Sequence, residues 1–261
     1  LSSKLTKDDK NASKEPYKAW VLKYLYDKYG IVEKDFVTGE IEIVPAMKAR
    51  DVGFDRSLIA AYGHDDRVCS YPAVTAVLDS EESIHTVMAV LADKEEIGSG
   101  GNSGMKSGIF VDLLDEMCRS FGCDINVVKA NTKCLSADVN AAYDPNFSDV
   151  FEKANASLLN GGVVLTKYTG SGGKSGTNDC NAEFVRFVRR IFDKDGVVWQ
   201  TGELGRVDEG GGGTVAAYIA NLNVDTIDLG VPVLSMHAPY EIVSKLDTYM
   251  AYKAFEVFMA D

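Results

Sequence analysis

Cysteine is sparse and unpatterned in this chain: five residues in 261, at Cys69, Cys118, Cys123, Cys134 and Cys180. The number is odd and no pair has Cys-x-x-Cys spacing. A chain of this length buries enough core to fold without staples, so all five are read as reduced packing residues. Long apolar runs are also lacking. None approaches the ~20 residues that cross a bilayer, and no charged-then-apolar leader stands at the start. That predicts no membrane partner and a cytoplasmic protein, and it leaves the Asn-x-Ser sequons at Asn11, Asn146 and Asn155 without weight. Positive charge is the third shortage. Lys and Arg number 27 against 39 Asp and Glu, a formal charge of -12. A phosphate backbone is held by clustered basic side chains, so nucleic acid is excluded as a partner.

What is present is a 46% hydrophobic composition, enough for one large domain with an appendage. Leu1 is not an initiator methionine, and the first fifteen residues are polar and read as linker, so the chain is expected to be cut from something longer. Pro16 suits the first turn of a helix to about Tyr29, with Gly30 as its stop. A strand is expected at Ile41–Val44. From Leu58 onward helices and strands alternate: a helix near 71–78, a strand over Thr86–Ala92, a helix near 105–121, and short strands at Ile125 and Val163. The segment 181–193 carries Phe184, Phe187, Val188 and Ile191 at helical spacing. A strand at 231–235 leads through His237 into a closing helix, roughly 243–259. The alternation predicts an α/β fold with a central, mostly parallel sheet flanked by helices.

Three motifs compete for the chemistry. Gly170–Thr177 reads G-S-G-G-K-S-G-T, with the G-K-S core of a phosphate-cradling loop. The position five residues before its G-K is Tyr168, where that loop needs glycine, so a flexible or substrate-facing loop is the better reading. E-G-G-G-G-T, 209–214, lets backbone approach something closely but is weak evidence alone. The third is a dispersed set: Asp66 in Y-G-H-D-D-R-V-C-S-Y, Glu95 and Glu96 in A-D-K-E-E-I-G-S, Asp138 in S-A-D-V-N-A-A and His237 in L-S-M-H-A-P-Y. Singly, each of the four carboxylates would read as solvated surface. Together, oxygen ligands with a histidine suit zinc, manganese or cobalt. Two adjacent glutamates can divide the labour, one ligating metal while the other accepts a proton.

In this order and spacing, those four stretches resemble the aspartyl aminopeptidase and aminopeptidase I family of cocatalytic zinc exopeptidases, its bacterial members most of all. The likeness runs from about Lys18 to the end. It implies a zinc-exopeptidase-like fold and two divalent metals, with Asp66 as the bridging carboxylate, Glu95 as general base and Glu96 and His237 on one metal. Asp138 falls to the other. It implies that residues 1–57 are linker and the tail of an inserted dimerisation domain, and 58–261 the catalytic domain. It also places Lys167, Lys174, Gly212 and Gly213 in regions like those lining the family's substrate pocket, and implies a homo-oligomer, a dodecamer in the family, acting on short peptides.

Against the family pattern, an upstream His-x-Asp segment is absent. His64-Asp65-Asp66 spells the same pattern, but Asp66 already fills the bridging place, so His64 is read as a non-ligand and His85 as a strand or surface residue. With only Asp66 and Asp138 on its second site, the chain alone is expected to show little activity. The function expected is metal-dependent release of N-terminal residues from peptides. The alternative is a non-catalytic assembly or cargo component with an incomplete metal site.

Overall fold

The computed structural model describes residues 14–81, 83–172 and 175–261. Compact packing divides the chain between Pro45 and Ala46. In the first unit, helix α1 (Pro16–Tyr29) starts on its proline and ends at Gly30, whose φ of 72° is left-handed and whose N–H donates to Tyr26 O. Trp20 and Tyr24 stack along it, ring centroids 5.6 Å apart. The strand expected at Ile41–Val44 is absent; Ile43 is 97% exposed, and no ladder partner lies beside the run among the described residues.

The second unit holds strands β1 (Arg50–Val52), β2 (Leu58–Ala61), β3 (Lys133–Ala137), β4 (Asn140–Ala141), β5 (Val163–Thr166), β6 (Trp199–Thr201), β7 (Asp225–Gly230), β8 (Pro232–Leu234) and β9 (Glu241–Ser244). Its helices are α2 (His64–Asp79), α3 (Ile109–Phe121), α4 (Ile125–Asn131), α5 (Ala182–Asp195), α6 (Ala216–Ala220) and α7 (Lys245–Ala260). The architecture is α/β, as the alternation predicted. The strands divide between two sheets, ordered β1-β2-β9-β8-β4 and β3-β7-β5-β6. Ladder directions are mixed rather than mostly parallel: β3–β7, β5–β6 and β4–β8 are parallel, while β5–β7 and the successive pairs of β1-β2-β9-β8 are antiparallel.

The two sheets share chain at one crossing. Strand β3 runs on into β4 across Asp138 and Val139, and β7 into β8 across Val231, with Asn140 N–H donating to Val231 O at 3.0 Å. Gly230 is required there: a Cβ on it would lie 2.4 Å from Asp138 O. Helix α5 lays Phe184, Val188, Ile191 and Phe192 into the core, capped by Asn181 at its start and by left-handed Gly196 at its end. Each such side chain contributes about 1.5–3 kcal/mol by leaving water.

Two further sequence expectations fail for identifiable reasons. Ile125 starts a helix, because Asp124 accepts N–H bonds from Asn126 and Val127 and so caps α4. Thr86–Ala92 is not a strand: its backbone joins no ladder among the described residues, and a strand needs a neighbour as much as it needs propensity. Cys69, Cys118 and Cys180 are buried and unpaired, as packing residues should be, whereas Cys123 is exposed.

Asp247 ties α7 to the loop before β5. Fully buried, it accepts N–H bonds from Asn160 and Gly162, both at 2.8 Å. Burial outweighs those bonds and pushes its carboxyl up from 3.8 to about 6. The folded chain therefore holds that proton more tightly than the unfolded chain. The associated stability is complete below the unfolded value and is lost as pH rises through about 6. Asp247→Asn, which sets an amide N–H against one of the two donors, should cost about 1–3 kcal/mol in urea unfolding at neutral pH. It should also flatten the decline in stability across that window; an unaltered pH profile would count against this account.

Candidate metal centre

Four connections deliver the site. At the end of β2, Gly63 turns the chain into α2, whose first turn carries Asp65 and Asp66. The carboxylates sit where the helix dipole favours negative charge. Asp65 departs from helical geometry, with ψ of 112°, so the two neighbouring side chains are not related as successive helix positions would be. Glu95 and Glu96 form a single tight turn bounded by left-handed residues, Lys94 at φ 64° and Gly98 at φ 92°. It is closed by Ser99 N–H donating to Lys94 O at 2.7 Å. Asp138 stands at the sheet crossing. His237, itself left-handed at φ 63°, lies in the connection between β8 and β9.

The described residues form three overlapping groups whose potential ligand atoms lie within 4.8 Å of one another: Asp65 with Glu96 and His237, Asp65 with Asp66 and Asp138, and Asp66 with Glu95 and Glu96. His237 Nε2 is 2.9 Å from Asp65 Oδ2 and 3.2 Å from Glu96 Oε1. Asp65 is almost wholly buried, its side chain 5% exposed against 62% for His237.

All five residues singled out in the sequence as metal ligands or base meet here. The carboxylate common to the His237 and Asp138 groups, however, is Asp65, which the sequence reading passed over. Asp66, expected to bridge, shares no group with His237. The doubled Asp65-Asp66 was the available signal, but nothing in the sequence says which of two adjacent carboxylates faces the histidine. Glu241 was missed too. At the start of β9, it accepts Asp65 N–H at 3.1 Å through Oε2 and His237 N–H at 2.8 Å through Oε1.

The electrostatics are those of an uncompensated anionic cluster. Burial, then the charges of Asp138, Asp66 and Glu96, pushes the Asp65 carboxyl far above the ordinary range. Burial, then Glu95 and Asp66, raises Asp138 to about 7. Burial and then Glu96 raise Glu95. Carboxylates packed this closely cannot all ionise together unless positive charge joins them. One imidazole among carboxylates is a donor set that suits a borderline metal such as zinc.

Outside these groups, His64 Nε2 lies 3.2 Å from Ile59 O, and burial pushes its imidazole pKa down. His85 is exposed beside the unpaired Thr86–Ala92 run and belongs to none of the groups. Lys167 Nζ pairs with Asp179 Oδ1 at 2.5 Å. Lys174 lies outside the described residues. A cleft formed by Tyr168, Thr169, Gly170, Leu204, Arg206 and Gly211 borders the glycine-rich segments but includes neither Lys167, Gly212 nor Gly213. Ser171 and Ser175 make an antiparallel bridge, and among the described residues that follow, 175–181, no helix begins. A phosphate loop opens directly into a helix, so the geometry speaks against nucleotide binding there.

Residues 2–259 match the model of the Aminopeptidase I zinc metalloprotease (M18) family. Probable M18 family aminopeptidases 1 of Clostridium acetobutylicum and Thermotoga maritima are 47% and 46% identical over 251 residues, 94% of this chain but only 54% and 55% of theirs. The solved aminopeptidase I of Clostridium acetobutylicum superposes with a TM-score of 0.89 at 46% identity, covering 96% of this chain and 55% of the other. A dodecameric Saccharomyces cerevisiae Ape1 structure matches at a TM-score of 0.71 and 27% identity. The chain belongs to the M18 family of zinc aminopeptidases. It spans about half the length of the curated relatives it matches. No helix among the described residues is long and apolar enough to cross a membrane.

Proposed function

We propose that this chain carries the hydrolytic centre of a zinc aminopeptidase that releases N-terminal residues from short peptides. The observation that carries the reading is the sharing of Asp65 between a histidine-containing group and an all-carboxylate group. Such an arrangement suits two metal ions held by one common ligand. Glu96 and His237 complete the first group; Asp138, with Asp66 beside it, completes the second. When bound, zinc supplies Lewis acidity toward the scissile carbonyl and activates water at neutral pH. Glu95 is the general base. It belongs to no group with His237 or Asp138, which leaves it free to take a proton from water and pass it to the leaving amine. Burial raises its affinity for that proton. The two N–H bonds to Glu241 hold Asp65 and His237 in register while this happens.

The alternative of a non-catalytic assembly component rested on a deficient second site. Counting Asp65 raises that group from two carboxylates to three, which favours the catalytic reading. Assembly into a homo-oligomer, as in the yeast Ape1 dodecamer, belongs to the same proposal. Metal analysis after dialysis distinguishes the two readings. The purified chain should retain zinc in at least equimolar amount, whereas clearly less than one tightly held zinc per chain would favour the non-catalytic role.

A further inference from the structure

The Asp65 and His237 side chains meet at 2.9 Å although 171 residues separate them in the chain and they stand on different connections. Something must hold those connections together. The β-ladder does so only coarsely: Ala61, the last residue of β2, pairs with Glu241, the first of β9. Asp65 and His237 lie beyond the paired residues, each four positions from its end of that pair. What spans the remaining gap is the Glu241 side chain, 2% exposed. One of its oxygens takes the Asp65 N–H and the other the His237 N–H. Both partners are backbone groups, so the contact fixes main-chain position at each residue and leaves both side chains free to ligate.

Resting on the metal reading above, we infer that Glu241 is a positioning residue of the centre, its two-oxygen clasp setting the separation between Asp65 and His237 and thereby the affinity of the histidine-containing site. Left-handed backbone at His237, an uncommon conformation for a residue with a side chain, needs such an external hold. A carboxylate is specifically suited to the task. It offers two acceptors and no donor, whereas glutamine turns one acceptor into an N–H facing an N–H, and aspartate is one methylene too short to reach both. Groups that orient metal ligands from behind typically govern affinity by about 10–100-fold.

The test compares Glu241→Gln, Glu241→Asp and Asp247→Asn, the last a buried carboxylate that also clasps two backbone N–H groups but away from the cluster. Zinc dissociation constants are measured on the whole chain by competition with a chromophoric chelator. Amide exchange at Asp65 and His237 is followed by NMR in the zinc-free chain. Both Glu241 variants should bind zinc about 10–100-fold more weakly, with faster exchange at both amides, while Asp247→Asn loses stability but keeps wild-type zinc affinity. If Glu241→Gln folds poorly, Glu241→Asp carries the same comparison. Zinc affinity within about threefold of wild type in a folded Glu241 variant, or an equal loss in Asp247→Asn, would overturn the assignment. A wild-type chain that binds no zinc would overturn the metal reading itself, and is told apart because the deficit then precedes any substitution.

Discussion

Glu95→Gln should leave zinc bound and nearly abolish hydrolysis. In a polypeptide of full M18 length that carries these residues, turnover of an aminoacyl-anilide should fall about 10²–10⁴-fold, the range supplied by a positioned general base. Glutamine keeps the shape of the side chain and one acceptor oxygen but cannot take a proton. Metal content should stay within error of wild type, because Glu96 and His237 complete the Asp65 group without Glu95. Glu96→Gln should behave oppositely, losing metal and activity together. If Glu95→Gln empties the site while Glu96→Gln keeps it filled, the two roles are reversed.

Asp65→Ala should be the most damaging substitution for metal binding. Asp65 is the member common to the His237 and Asp138 groups, so its removal takes a ligand from both at once. It also leaves the remaining carboxylates to repel one another without their shared partner. Zinc affinity should fall by more than the ~10–100-fold expected when a ligand is merely misoriented, and both ions should be lost in parallel in a chelator titration. Asp66→Ala should spare the histidine-containing group and retain one zinc. The reverse pattern, one ion lost from Asp65→Ala and both from Asp66→Ala, would return the bridging role to Asp66.

That choice between neighbours marks the boundary of what the sequence could disclose. Helix α5 was readable because its apolar residues recur at the helical period and Asn181 and Gly196 punctuate its ends. The closing helix was readable for similar reasons, and the four motif stretches were specific enough to gather Glu95, Glu96, Asp138 and His237 in advance. The outcome at Asp65 and Asp66 depends on backbone angles set by tertiary packing, to which composition and spacing are blind. Glu241 was hidden by the same kind of gap: an unremarked glutamate in a short strand becomes important only through bonds to residues 4 and 176 positions away. The misread strands at 41–44 and 86–92 have the right residues but, among the described residues, no neighbour to complete them, and the misread α4 had its signal in Asp124, a cap easily taken for a turn residue.

The unpaired run Thr86–Ala92 has a colloidal consequence. It offers amide and carbonyl groups that no ladder uses among the described residues, with Met88, Val90 and Leu91 open to solvent. Extended backbone with unused donors and acceptors is, like an open sheet edge, a template onto which another polypeptide can add. Within the run itself no charged side chain interrupts the apolar sequence, and the gatekeepers begin only at Asp93. Such addition is opposed by the repulsion of a net charge of -12, which salt screens over about 8–10 Å and which vanishes as pH approaches the sequence pI of about 4.8. The same excess of carboxylates that builds the metal centre thus weighs against unspecific addition at this run, a restraint that acid or salt should lift.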